Sequence, residues 1–177
     1  MNRIVLRKSI LASVLFAIGI VLPLLTGQIK EIGDSLLPMH LPVLLCGAIC
    51  GWKYGALVGF LLPFTRSLIF SMPPIYPNAV WMAFELLTYG LTFGIFYSIL
   101  KNRGIIGTYI SLICAMLSGR VVWGIAKAIL LGVAGKSFGI SAFIAGAFID
   151  SLAGIIIQII LIPVLLRIVE RSGFYKI

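Results

Sequence analysis

The amino-acid sequence predicts an all-α polytopic membrane protein, a six-helix transmembrane bundle in one integral domain with both termini in the cytoplasm. Three observations carry that expectation. Of the 177 residues 61% are hydrophobic and only 11% charged, where soluble domains carry about a quarter charged, and mean hydropathy is +1.17. Six apolar runs approach or exceed the roughly 17–25 residues that a helix needs to cross a bilayer. The cations, finally, crowd the edges of those runs on one side.

The first run, 9–25, follows "MNRIVLRK". Cations before an apolar stretch resemble a secretion signal, but no small-residue cleavage site follows and further spans do, so a retained helix is expected. The second, 39–51, is short, and the third, 54–70, follows after only Trp52 and Lys53. The pair is either a tight hairpin or two half-spans. The fourth covers 78–100. The fifth and sixth, 105–133 and 141–168, exceed the minimum, which implies tilt or extension beyond the bilayer.

With the termini inside, the cytoplasmic segments hold Arg3, Arg7, Lys8, Lys53, Lys101, Arg103, Arg167, Arg171 and Lys176, and the outer loops only Lys30 and Lys136. The formal net charge of +9 is therefore mainly a topology signal. Scattered along membrane edges, these cations form no patch suited to nucleic acid. Cys46, Cys50 and Cys114 lie in apolar runs with no further Cys or His cluster, so no metal site is expected. No cofactor is implied. No nucleotide-binding loop occurs, so any ATP-driven step belongs to another chain. An intramembrane enzyme lacks support: the chain has one His and no HExxH.

Five ionisable residues lie inside spans: Arg66, Glu85, Arg120, Lys127 and Asp150. At about 1.5 Å per residue none falls in the cytoplasmic third, a distribution expected of an outward-facing cavity lining. Met116, Arg120, Trp123 and Lys127 follow steps of four, three and four and share a helical face; Asn78, Trp81, Glu85 and Tyr89 do the same on span four. Such a face suits a polar ligand with an apolar body. His40, near the outer end of span two, either adds a donor or is a satisfied polar residue. Buried charges usually pair. Arg66 with Glu85, and Arg120 with Asp150, are the expected pairs, either as neutralisation alone or as part of a site. Lys127 either joins them or snorkels to the interface. Counted together the five leave one net positive charge, which suits one carboxylate or phosphate. The outer connector 26–38 is either a lid or a polar linker. The proline-rich "SMPPIYPN" either adds Tyr76 and Asn78 to the rim or is a rigid turn.

Small residues four apart, including Ser13/Ala17, Gly47/Gly51, Gly55/Gly59 and Gly90/Gly94, allow close helix contacts in lipid. The face of span one carrying Ser13 and Ala17 has no charge to bury and is available to a partner.

This layout resembles the substrate-binding S component of energy-coupling factor (ECF) vitamin transporters, over the whole chain. The stretch "PMHLPVLLCGAICGWKYGALVGFLLPFTRSLIFSMPPIYP", residues 38–77, is the part most similar to the family. The resemblance implies a non-enzymatic capture protein of the bacterial inner membrane. It would bind a small water-soluble vitamin or related micronutrient from outside, with pantothenate-like or pyridoxine-like compounds as examples. The implied partners are a transmembrane coupling subunit and two cytoplasmic ATPases, with docking through an AxxxA-type face on the first helix. Ser13 and Ala17 match those positions, with Ser in place of the first Ala. The family mechanism, toppling in the membrane to turn the loaded site inward, fits a chain with few cytoplasmic residues. The competing readings are a bacterial envelope or cell-shape scaffold, which would need no polar cavity, and a self-sufficient carrier, which would normally show internal repeats.

Overall fold

The computed structural model describes residues 3–26 and 35–172, and among them all regular structure is helical. Most of the 26–38 connector, with Lys30, lies outside the described residues, as does Lys176.

Helix α1, Arg3–Val21, ends in a 3-10 turn, Leu22–Thr26. It begins six positions before the expected span, because Arg3, Arg7 and Lys8 continue the helix beyond the apolar run. Helix α2, His40–Cys50, and α3, Trp52–Phe70, are separated by Gly51 alone. Gly51 has φ +101°, a region disfavoured for residues with a Cβ, and the tight hairpin is thereby the form adopted. At 11 residues, α2 is only about 16 Å long.

After α3 the chain turns through Ile75–Ala79 into α4, Val80–Leu100. A short turn at Lys101–Arg103 leads into α5, Gly104–Val133. The last expected span is broken. A short α6, Ile140–Ile144, runs into a π-type turn at Ala145–Ile149, and α7, Leu152–Arg171, starts afresh after Asp150 and Ser151. Three apolar helical runs among the described residues are long enough to cross a bilayer: Arg3–Leu25, Ile75–Val133, which holds both α4 and α5, and Leu152–Arg171. The side chains at Ile106, Ile110, Ile113, Leu117, Val121, Ile125 and Ile129 leave one face of α5 exposed and apolar, as a helix facing lipid requires.

The register of the centre is set by glycines. A methyl group on Gly55 would sit 2.6 Å from the Cα of Gly47 and 2.8 Å from the carbonyl oxygen of Gly90. One on Gly94 would sit 2.6 Å from the Cα of Trp52. Only hydrogen fits in that space, so α2, α3 and α4 meet backbone to backbone. Gly47 lies against Gly90 and Gly94, and Gly59 against Leu86; α3 is therefore antiparallel to α4, and α2 parallel to it. Val43, Leu44, Leu62, Leu86, Phe93, Leu112 and Ile162, all fully buried, fill the core around this seam.

Candidate functional site

At one end of the seam the core turns polar. His40 opens α2, Glu85 and Tyr89 lie one turn apart on α4, and Arg120 lies on α5. All four are at most 4% exposed. Arg120 donates from Nη1 to Glu85 Oε1 at 2.9 Å, and His40 Nε2 lies 3.4 Å from the same oxygen. The Tyr89 ring stands edge-on to His40 with centroids 4.8 Å apart. Gly119, the residue before Arg120, allows this: a Cβ there would enter the Tyr89 ring.

Charge in this cluster is balanced, since Glu85 neutralises Arg120. Hydrogen bonding is not. Among the described residues Arg120 Nε and Nη2, the Tyr89 hydroxyl and both His40 ring nitrogens are buried without a hydrogen-bond partner. An unmade hydrogen bond on a buried polar group costs about 1–3 kcal/mol, so native interiors rarely keep several together. The free guanidinium edge of Arg120 presents two parallel N–H groups, the geometry that takes a carboxylate or phosphate bidentately.

Two α-helical turns further along α5, Lys127 lies against three aromatic rings. Its ammonium is 4.5 Å from the Trp123 centroid, 5.2 Å from Phe138 and 5.3 Å from Trp81. Such contacts are favourable when desolvated, and they hold Lys127 half-buried rather than extended outward. Trp81 stands one turn from Glu85 and Trp123 one turn from Arg120, so this aromatic layer adjoins the polar cluster on both helices. Met116, buried one turn on the other side of Arg120, continues the same face.

Both expected ion pairs are corrected. Arg66 does not meet Glu85: it donates from Nη1 to the carbonyl of Ile20 at 2.6 Å, and its guanidinium lies 5.2 Å from the Phe70 ring centroid. The seam explains this, because pairing Gly55 with Gly90 and Gly59 with Leu86 sets Arg66 opposite the start of α4, more than a turn away from Glu85. Arg120 does not meet Asp150. The π-type turn and the break before α7 rotate the carboxylate outward; Asp150 is exposed, while Ala147 and Ser151 on either side are buried. Asn78, half-buried in the Ile75–Ala79 turn, and Tyr76, exposed beside it, are not drawn into the cluster. Ser13 and Ala17 are both exposed on α1, and the Ser13 hydroxyl is turned back to the Ser9 carbonyl at 3.0 Å.

Sequence reasoning did not single out Gly119, Phe138 or Gln158. The first acts only through the ring packed on it and the second comes from the α5–α6 connection. Gln158, fully buried on α7 with both amide atoms unpartnered among the described residues, was legible as a lone amide in the run "GIIIQIILI". Among the described residues no group of His, Cys, Asp and Glu is arranged to hold a metal ion.

No curated protein and no solved structure matches the chain. A family model described as "ECF transporter, substrate-specific component" matches residues 7–166. That stretch contains all the elements from the second turn of α1 to most of α7, including His40, Glu85, Tyr89, Arg120 and Lys127. The chain is a membrane protein that belongs to the family of ECF transporter substrate-specific components.

Proposed function

We propose that this chain captures a small anionic, water-soluble vitamin or related micronutrient from outside the cell, for ATP-driven import by partner subunits. In this reading Arg120 grips the anion through its free edge, Glu85 holds the guanidinium in place, and Tyr89 and His40 supply further hydrogen bonds. Trp81, Trp123 and Lys127 form the outward wall, with Asn78 at the rim. Arg66 acts as a tie between α3 and α1, and Asp150 is given no contact with the ligand. The observation that carries this reading is the set of buried polar atoms, unpartnered among the described residues, gathered around a neutralised Arg120–Glu85 pair.

The proposed topology has six passes in the bacterial inner membrane: α1, the shortened α2, α3, α4, α5, and α6 with α7 as a broken sixth. Both termini face the cytoplasm. The cation distribution supports it, as does the reversal of direction at each of the α2–α3 and α3–α4 connections. Ser13 and Ala17 on the exposed face of α1 dock a transmembrane coupling subunit, which carries two cytoplasmic ATPases.

The test is thermal melting of the purified, detergent-solubilised chain against a panel of water-soluble vitamins. A ligand at 100 times its dissociation constant should stabilise the fold by about 2.7 kcal/mol. Arg120→Ala is expected to weaken binding of that compound by about tenfold or more, as loss of a charge-assisted hydrogen-bond pair does. Unchanged affinity in a folded variant would remove the assignment.

A further inference from the structure

The polar cluster draws on α2, α4 and α5. A fourth helix brings one more orphaned group to the same depth. Gln158, on α7, has a relative exposure of 0%, and neither its amide nitrogen nor its amide oxygen has a partner among the described residues. Its depth follows from two fixed points on α7. A Cβ on Gly154 would lie 2.7 Å from the carbonyl oxygen of Ser35 and 2.8 Å from that of Leu36, just before α2 begins at His40. At the other end Glu170 accepts a hydrogen bond from Tyr97 at 2.7 Å, close to the end of α4. Helix α7 therefore runs parallel to α2 and α4. Gln158, one turn or about 6 Å beyond Gly154, comes level with His40. Since His40, Glu85 and Arg120 already meet, four helices place unpartnered polar groups in one layer.

Gln158 differs from the others chemically. Arg120 and Tyr89 offer donors, whereas a primary amide offers a donor and an acceptor side by side in one plane. An anion satisfies the first two and only half of the third. Both halves are satisfied by a C=O and an N–H lying cis on one planar group, the same acceptor-and-donor pairing that Gln and Asn make with N7 and N6–H of adenine. Burying an amide with neither end paired is unfavourable in any apolar interior.

We infer that Gln158 is a further ligand-binding residue of this site, reading an amide-type edge on the captured molecule. The substrate class is thereby narrowed to small anions that carry a carboxylate or phosphate for Arg120 and, elsewhere in the same molecule, a primary amide, lactam, imide or cyclic urea for Gln158. This inference rests on the capture reading above.

The experiment uses the full chain in detergent and three sets of probes. Biotin and orotate carry both features. Lipoate and nicotinate carry the anion without the edge. Biotinol and uracil carry the edge without the anion. At least one member of the first set is expected to raise the melting temperature, with its uncharged counterpart ineffective. Gln158→Met, close in shape but unable to hydrogen-bond, is expected to weaken that compound's affinity by about tenfold while the unliganded chain melts at the same or a higher temperature. Gln158→Leu serves as a second variant for the same comparison. Equal stabilisation by lipoate or nicotinate, or wild-type affinity in Gln158→Met, overturns the inference and leaves capture standing. Lower melting of both unliganded variants gives Gln158 a structural role and also overturns it. Stabilisation by no compound in any set removes the capture reading and this inference with it.

Discussion

Along α4, two neighbouring stretches are built on opposite principles. At Gly90 and Gly94 the backbone lies directly on α2 and α3, with no side chain between and no room for one. One turn earlier, at Glu85 and Tyr89, large polar side chains are buried and several hydrogen-bonding atoms around them have no partner among the described residues. The first stretch is complete as a piece of packing and the second is not. The two depend on each other: the glycine seam sets the register that brings His40 beside Glu85, and its glycines adjoin Glu85 and Tyr89 along the chain. Rigidity and chemistry are thus placed in successive turns of one helix.

Breaking the seam should have the largest effect. A side chain at Gly90 would meet the backbone carbonyl of Gly55, and neither helix can give way without parting from the other. Gly90→Val is expected to cost about 3 kcal/mol, the upper part of the usual overpacking range, seen as loss of folded protein on size-exclusion in detergent. Normal yield and melting would mean that the seam is not what holds the helices in register.

Glu85→Ala attacks the polar stretch instead. It leaves Arg120 buried without a counter-charge, which costs about 3 kcal/mol or more when one member of a buried pair is removed. Glu85→Gln keeps an acceptor and should lose less stability than Glu85→Ala, measured by the same melting curves. If both variants melt like the wild type, the pair is solvated and the layer is not a closed site.

Arg66→Ala sharpens the contrast, because Arg66 belongs to neither stretch. Its bond to the Ile20 carbonyl should be worth about 1.5–3 kcal/mol, as for hydrogen bonds to charged groups. Affinity for the stabilising vitamin should scarcely change. A loss of affinity without loss of stability would return Arg66 to the site.

The smallest effect on the isolated chain is expected at the exposed face of α1. Ser13→Leu or Ala17→Leu should alter stability by no more than about 0.5 kcal/mol and leave vitamin binding intact, while transport by whole cells is lost. Uptake at wild-type level in either variant would place the docking face elsewhere.

Much of the candidate site was legible in the sequence, residue by residue. Ionisable groups inside apolar runs are rare enough to mark themselves, and helical spacing alone puts Arg120, Trp123 and Lys127 on one face. The pairing of those groups was not legible. Adjacency of spans three and four suggested Arg66 with Glu85, but adjacency does not set the axial offset, and a slide of more than one turn changes every partner. Asp150 was misplaced for a related reason. Helical periodicity assumes an unbroken helix, and a π-type turn followed by a break changes the face of every residue beyond it.

The sequence by itself determined the all-helical, membrane-embedded character of this protein and marked the ionisable residues inside its spans. Both follow from composition and from a helical period that is local to each segment. Only the tertiary structure decided which of those residues meet: Glu85 with Arg120 and His40, and Arg66 with a backbone carbonyl. Contacts between helices depend on their axial offset and rotation. Here these are set by the backbone-to-backbone fit of a few glycines far apart in the chain, and no single segment contains that information.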